Sequence, residues 1–182
     1  MDNRQSVRIG KLISLILRHE PQKIGIAALE PGGYVPVCTL LEGLARLGSP
    51  LSREELDELV RDSDKGRYSF DTSGTRIRAN QGHSVPVDLG LDPKMPPAIL
   101  YHGTPERFLE QIRRDGLQKM ARHAVHLSPD EATATMVGQR RGRPVLLRID
   151  ARRMHEEGFL FTRSENGVWL IDAIPRQYIQ FP

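Results

Sequence analysis

Cysteine is almost absent from this chain, since Cys38 is the only one among 182 residues. A single thiol excludes an internal disulfide and a zinc site built from several cysteines. Long apolar runs are also absent, and none reaches the roughly 18 to 20 residues that a membrane-spanning helix needs. The first residues lack the charged and then apolar order of a secretory signal peptide. These absences predict a cytoplasmic protein with no membrane partner.

Lysine is scarce relative to arginine, and common catalytic motifs are missing. The five lysines are outnumbered by arginines among the 26 basic residues, and the net charge is only +3. Arginine favours phosphate ligands through its planar fork, but so small a charge does not indicate tight nonspecific binding to long nucleic acid. No Walker loop, Gly-x-Gly-x-x-Gly fingerprint, Gly-x-Ser-x-Gly elbow or zinc-ligand spacing occurs, so no metal is expected.

The first 83 residues predict three helices followed by a hairpin. Apolar residues up to Leu17 follow helical spacing, and Pro21 ends this helix just after Arg18 and His19. A second helix is predicted over 39–47, and Ser52 with Glu55 forms a capping box for a third. Alternating segments around Thr72-Ser73-Gly74 predict two paired strands. This order indicates a winged-helix-like lobe.

Residues 84–97 contain four prolines and predict a linker to a second lobe over 98–182. In that lobe a strand over 98–101 leads into His102-Gly103-Thr104, and a helix over 105–115 ends at Gly116. A helix over 130–137 is expected to stop at Gly138. Further strands are predicted over 125–128, 145–149, 159–161, 168–171 and 178–181. The fold class predicted for the whole chain is therefore α+β.

Six short polar clusters follow one another along the chain, and none is specific alone. They are Leu17-Arg18-His19-x-Pro21, Lys65-x-Arg67, Ile77-Arg78-Ala79-x-Gln81-Gly82-His83-Ser84, Leu100-Tyr101-His102-Gly103-Thr104, Arg122-His123-x-Val125-His126-Leu127-Ser128 and Asn166-Gly167-Val168-Trp169-Leu170. In this order they strongly resemble the RNA (tRNA) 2′-phosphotransferase family over nearly the whole chain. The resemblance implies a winged-helix-like lobe and an ADP-ribosyltransferase-like lobe of mixed β structure.

The resemblance also implies a reaction. The family uses NAD+ to remove an internal RNA 2′-phosphate, which attacks C1″ of the NAD+ ribose and expels nicotinamide. The ribose 2″-hydroxyl then attacks phosphorus in the ADP-ribosylated 2′-phospho-RNA. The products are RNA with a free 2′-hydroxyl and ADP-ribose 1″,2″-cyclic phosphate. The expected partners are therefore NAD+ and a tRNA-like RNA, and the protein is expected to be a monomer.

The same resemblance assigns roles to particular residues. Phosphate binding and catalysis map onto Arg18, His19, Arg67 and Arg122, with the phosphate expected at the junction of the two lobes. Lys65 is expected to assist the second step, in which charge builds on the phosphate oxygens. The NAD+ site is expected to contain His102, Gly103, Thr104, His126 and Ser128.

The resemblance to the wider ADP-ribosyltransferase superfamily has one departure. Many members place a glutamate on a late strand, whereas the matching strand here carries Val168. An ionised phosphate needs no general base, and a nearby carboxylate would repel it. Glu165 is close enough for a shifted alignment to restore a carboxylate. Two alternatives stay open, namely an ADP-ribosyltransferase that caps terminal phosphates and a nucleic-acid-binding module that senses NAD+.

Overall fold

The computed structural model describes residues 3–63, 66–139 and 143–182. The chain divides into two compact units, Met1–Gly90 (unit 1) and Leu91–Pro182 (unit 2). Both contain helices and small antiparallel sheets, which confirms the predicted α+β class. Among the described residues, no helix combines the length and apolar character needed to cross a membrane.

In the part of unit 1 that the structure describes, three α-helices pack against a three-stranded antiparallel sheet of order β1-β3-β2. The elements are α1 (Asn3–Arg18), β1 (Tyr34–Pro36), α2 (Val37–Arg46), α3 (Arg53–Arg61), β2 (Tyr68–Phe70) and β3 (Arg76–Ala79). The predicted end of α1 before Pro21 is confirmed, and so is the capping box. Ser52 Oγ accepts a hydrogen bond from Glu55 N, and Ser52 N donates to the Glu55 carboxylate.

The described residues of unit 2 form three small sheets, of order β11-β7-β4, β6-β9-β8 and β10-β5. Its strands are β4 (Ile99–Pro105), β5 (Leu117–Gln118), β6 (Val125–Leu127), β7 (Pro144–Asp150), β8 (Thr162–Arg163), β9 (Trp169–Ile171), β10 (Ala173–Ile174) and β11 (Ile179–Gln180). Its helices are α4 (Leu109–Asp115), α5 (Glu131–Gln139) and α6 (Ala151–Glu156). Within the ranges described, all these strand pairs are antiparallel, although mixed β structure was expected.

Several predicted boundaries in unit 2 are wrong. The strand predicted to end at Tyr101 continues to Pro105, so the segment 102–104 lies inside β4. Gly138 does not stop its helix but lies within α5, and α6 was not predicted. The segment 159–161 is not a strand. Phe161 is fully buried in the core of unit 2, and β8 begins one residue later.

The segment 84–97 is irregular but hydrogen-bonded on both sides of the unit boundary. In unit 1, Gly32 N donates to the Asp88 carbonyl at 3.0 Å. In unit 2, Lys94 N donates to the Phe161 carbonyl at 2.8 Å, and Pro93 bridges to Thr162. The prolines therefore interrupt regular structure while neighbouring residues anchor the chain to each unit.

Candidate functional site

The C-terminal end of α1 carries the first predicted site residues of unit 1. Arg18 is the last residue of α1, and His19 follows it with an exposed side chain. Ser84 contacts both, because its backbone N–H donates to the Arg18 carbonyl at 2.9 Å and its Oγ is hydrogen-bonded to His19 Nδ1 at 2.8 Å. Ser84 therefore connects the segment after β3 to this end of the helix.

Gly82 lies beside the guanidinium of Arg18. A Cβ atom at position 82 would stand 3.6 Å from Arg18 Nη1 and 3.7 Å from its Cδ and Cζ atoms. The φ angle of Gly82 is +93°, a conformation that side-chain-bearing residues rarely adopt. The backbone of Gly82 thus turns sharply while leaving the side of Arg18 clear.

A buried tyrosine lies close to both predicted arginines of unit 1. Tyr68 is 4% exposed, and its hydroxyl donates to the Gly10 carbonyl at 2.6 Å and lies 2.5 Å from Ser14 Oγ. Burial raises the pKa of the Tyr68 phenol, while the hydrogen bond from Ser14 and the positive charges of Arg18 and Arg67 oppose that rise. The positive charges of Arg18 and Arg67 therefore both act on Tyr68. We call Arg18, His19, Arg67, Gly82 and Ser84 the Arg18 cluster.

The remaining residues predicted to act on the phosphate lie elsewhere in the chain. Lys65 is outside the described residues. Arg122 belongs to unit 2, where it lines a cavity of about 480 Å³. This volume falls within the roughly 300 to 1,000 Å³ of typical small-molecule sites. We call this cavity the His102 pocket.

The His102 pocket contains four of the five residues predicted to bind NAD+. They are His102, Gly103, Thr104 and His126, and the pocket is lined further by the loop 118–122 and by Phe108 and Val137. The fifth residue, Ser128, is not one of the lining residues. Its backbone forms two hydrogen bonds with Tyr101, and its Oγ accepts one from Asp130 N at 3.2 Å. Ser128 thus holds β4 and the start of α5 in place.

The surroundings of His102 favour a neutral imidazole. Burial lowers its pKa from the ordinary 6.5, and the positive charge of Arg122 lowers it further, while a hydrogen bond to the His126 carbonyl opposes the shift. His102 Nδ1 lies 3.0 Å from that carbonyl oxygen. Since a carbonyl only accepts, Nδ1 carries the proton and the neutral ring keeps Nε2 as an acceptor.

The close packing of α5 against β4 requires glycine at position 103. A Cβ atom there would stand 1.8 Å from the Ala134 carbonyl oxygen and 3.0 Å from Gly138 N. At Gly138, a Cβ atom would come within 3.1 Å of the Gly103 carbonyl carbon. The two glycines therefore let α5 lie directly against β4, which forms one wall of the pocket.

Sequence reasoning missed Ser84 and Gly82 as members of the Arg18 cluster, and Tyr68 as a buried residue on which two of its arginines act. Ser84 and Gly82 stand inside a quoted cluster, but nothing in the local sequence indicates contact with a helix more than 60 positions earlier. The alternation of the hairpin offered a signal for Tyr68, because it places Tyr68 and Phe70 on one face of β2. The apolar part of the pocket lining, at Phe108, Met120 and Val137, had no local signal.

Comparison with known proteins gives one consistent result. The family model described as RNA 2′-phosphotransferase, Tpt1 / KptA family, matches residues 4–173. A probable RNA 2′-phosphotransferase of Nostoc punctiforme is 51% identical over 180 residues, covering 99% of both chains. Similarly named proteins are 50% identical in Streptomyces coelicolor, over all of this chain and 98% of the relative, and 49% identical in Rhodopirellula baltica, over 99% and 98%.

Proposed function

Because this chain belongs to the RNA 2′-phosphotransferase, Tpt1 / KptA family, we propose that it removes an internal 2′-phosphate from RNA and transfers it to NAD+. The products are RNA with a 2′-hydroxyl, nicotinamide and ADP-ribose 1″,2″-cyclic phosphate. The observation that carries the proposal is the identity of 50% to 51%, over almost the full length, to relatives named probable RNA 2′-phosphotransferase. The Arg18 cluster and the His102 pocket support it.

The 2′-phosphate is assigned to Arg18, His19, Arg67 and Arg122. A phosphomonoester carries about 1.5 to 2 negative charges at neutral pH and accepts hydrogen bonds at three oxygens. Guanidinium groups suit this ligand because their planar forks donate several directed hydrogen bonds at once. The common effect of Arg18 and Arg67 on Tyr68 supports their assignment to one anion. Ser84 supports the role of His19 by holding its Nδ1 side.

NAD+ is assigned to the His102 pocket, where it supplies an electrophilic ribose carbon and a leaving nicotinamide. The pocket volume and its mixed polar and apolar lining fit such a ligand. A neutral His102 adds no positive charge next to a cationic nicotinamide, and its Nε2 can accept a hydrogen bond from a ribose hydroxyl. Thr104 and His126 are assigned as further contacts, while Gly103 acts through the packing of α5.

The reaction takes place in two displacements. A phosphate oxygen attacks C1″, the bond from C1″ to the nicotinamide nitrogen breaks, and nicotinamide leaves with the bonding electrons. The 2″-hydroxyl then attacks phosphorus, the RNA 2′-oxygen leaves, and the hydroxyl proton ends on that oxygen. Charge develops on the non-bridging oxygens in the second displacement. We assign their stabilisation to Arg67 and to Lys65, which lies outside the described residues. The proposal also includes the fold of each unit: unit 1 is winged-helix-like, and unit 2 is ADP-ribosyltransferase-like.

The decisive experiment is product analysis. The protein is mixed with NAD+ and a short oligonucleotide that carries one internal 2′-phosphate, and the products are separated and weighed by mass spectrometry. We expect the three products named above, in equal amounts, and none from a matched oligonucleotide with a 2′-hydroxyl. Inorganic phosphate released without NAD+ would contradict the proposal. ADP-ribose retained on a terminal phosphate, with the 2′-phosphate untouched, would favour a capping enzyme instead.

A further inference from the structure

The exposed face of α1 carries positive charge and no negative charge. Arg4, Arg8 and Lys11 are exposed, and no aspartate or glutamate occurs in this helix. At about 100° per residue, these three cations and Arg18 fall within a stripe roughly 80° wide. The opposite face packs into the core of unit 1 through Ile9, Ile13, Ile16 and Leu17. We call Arg4, Arg8 and Lys11 the α1 stripe, which runs along the helix toward Arg18.

Within the part of the chain that the structure describes, the α1 stripe takes part in no ion pair. In the three described ranges, no carboxylate pairs with Arg4, Arg8 or Lys11. Elsewhere on helices, Arg53 pairs with Asp57 and Arg153 pairs with Glu157, each four residues along. The stripe therefore differs from the usual surface of this protein, on which positive and negative charges are interspersed.

The charges of the α1 stripe also destabilise the helix that carries them. Arg4 stands in the first turn, where the positive end of the helix dipole disfavours a cation. Arg4 and Arg8 are four residues apart, and Arg8 and Lys11 three, so like charges face each other along the helix. Charges that weaken their own helix and pair with no carboxylate of the described residues fit a polyanion that binds from outside.

The spacing of the stripe fits a nucleic-acid backbone that extends from Arg18. With a rise of 1.5 Å per residue, Lys11, Arg8 and Arg4 lie about 10, 15 and 21 Å along the axis from Arg18. We propose that the α1 stripe binds backbone phosphates of the single-stranded nucleotides flanking the 2′-phosphate on one side. This inference rests on the proposed function, because Arg18 is the residue assigned to the 2′-phosphate. Helix α3 does not offer a second surface for backbone phosphates, because it is acidic. Its acidic residues are Glu54, Glu55, Asp57 and Glu58.

An anionic membrane is the other polyanion that a basic helix can bind. A helix that lies on a membrane inserts its apolar face between lipids. The apolar face of α1 is instead buried against the rest of unit 1, with Ile13, Ile16 and Leu17 fully covered. Binding of RNA requires only the charged face of α1, and the observations therefore favour RNA over a membrane.

The test compares two substrates and two charge-matched variants. The stripe variant carries Arg4→Gln, Arg8→Gln and Lys11→Gln, since glutamine keeps good helix propensity. The control variant carries Arg61→Gln, Arg152→Gln and Arg176→Gln, which removes the same charge from other exposed positions. The substrates are a dinucleotide with an internal 2′-phosphate and a single-stranded 12-mer with the 2′-phosphate at its centre. The measurement is kcat/KM for RNA at saturating NAD+ and two salt concentrations.

The wild type and the control variant are expected to prefer the 12-mer at low salt. Three phosphate contacts on a single strand should make that preference fall roughly 20-fold between about 50 and 200 mM salt. The stripe variant should lose the preference and its salt dependence but convert the dinucleotide as the wild type does. Unchanged dinucleotide turnover also shows that the variant is folded.

Two outcomes would overturn the inference. One is a stripe variant that retains the wild-type preference for the 12-mer, and the other is a control variant that loses it equally. In the first case, a stripe variant that no longer co-sediments with phosphatidylserine vesicles that the wild type binds would assign the stripe to a membrane. Failure of the wild type to convert either substrate would instead overturn the proposed function, so the two failures are distinguishable.

Discussion

A hydrogen bond at Nδ1 helps to orient each of the two histidines assigned to the reaction. His19 has Ser84 Oγ on its Nδ1, and His102 has the His126 carbonyl on its Nδ1. The partner of one ring nitrogen determines the tautomer and hence what the other nitrogen offers to a ligand. A hydroxyl can donate or accept, whereas a carbonyl only accepts. His19 can therefore take either tautomer, but His102 is held in one.

We predict that Ser84→Ala lowers kcat for 2′-phospho-RNA by about 2- to 10-fold. This range corresponds to a net hydrogen bond of roughly 0.5 to 1.5 kcal/mol. The pH profile of kcat should shift as well, because His19 loses a partner on Nδ1. Ser84→Thr, which keeps a hydroxyl, should restore both, and Ser73→Ala in the hairpin turn serves as a control. A wild-type rate and pH profile in Ser84→Ala would show that the serine does not position His19.

We predict a pH dependence of stability that arises from His102. Its pKa is lowered in the folded protein by burial, so protonation favours the unfolded state, where the pKa is about 6.5. The free energy of unfolding should therefore fall as pH drops below about 6.5 toward the lowered folded-state value. His102→Asn keeps a side-chain N–H for the His126 carbonyl but does not titrate. Urea unfolding at pH 7.5 and pH 5 should show a smaller decrease for this variant, and equal decreases would contradict the assignment.

Two close contacts between elements shape the candidate sites. In unit 1, the Tyr68 hydroxyl joins β2 to α1, whose last turn carries Arg18. In unit 2, Gly103 and Gly138 let α5 approach β4 at backbone distance. Both contacts join elements that are remote in sequence, and each lies beside a residue assigned to a ligand. The positions of the assigned side chains thus depend on how helices meet strands.

We predict that Gly103→Ala lowers the free energy of unfolding by about 2 kcal/mol or more. The new methyl group would overlap the Ala134 carbonyl, and overpacking of a close contact typically costs about 1 to 3 kcal/mol. The control is Gly10→Ala in α1, where a Cβ atom meets nothing within 4 Å and should add up to about 1 kcal/mol of stability. Chemical denaturation of both variants measures the difference. A fully stable Gly103→Ala protein with impaired NAD+ binding would mean that the glycine serves the ligand instead.

At the scale of the whole molecule, the proposed function divides its two ligands between residues of different units. His102 of unit 2 is assigned to NAD+, and Arg18 of unit 1 is assigned to the RNA phosphate. The two units have separate hydrophobic cores, one around Ile13 and Leu40 and the other around Phe161 and Leu147. Substitution of a site residue in one unit should therefore leave the other unit folded.

We predict that His102→Ala weakens NAD+ binding by about 5- to 150-fold, which corresponds to roughly 1 to 3 kcal/mol for lost hydrogen bonds in a buried site. Its dissociation constant for a 2′-phosphorylated oligonucleotide should stay near that of the wild type. Arg18→Ala is the matched control and should show the reverse pattern. Calorimetric titration of each ligand into each variant measures both constants. An equal loss of RNA affinity in His102→Ala would show that His102 had been assigned to the wrong ligand.

Much of the secondary structure followed from the sequence because its signals act over a few residues. Pro21 ends α1, the pair Ser52 and Glu55 caps α3, and Gly74 lies in the turn between β2 and β3. The same local logic failed at Gly138, where glycine marks a close contact with β4 and not a helix end. A glycine that permits packing and one that stops a helix look alike in a single sequence.

The sequence alone determined the α+β class, the family and the set of chemical groups, since composition, periodicity and motif order need no long-range contact. Tertiary structure decided which groups meet. His19 and Ser84 are 65 positions apart, and Tyr68 and Gly10 are 58 apart, yet each pair is hydrogen-bonded. Such pairs form because burial of apolar faces brings distant elements together, and polar groups near that core then need partners. The neutral state of His102 likewise follows from burial and from the placement of Arg122 in the folded unit.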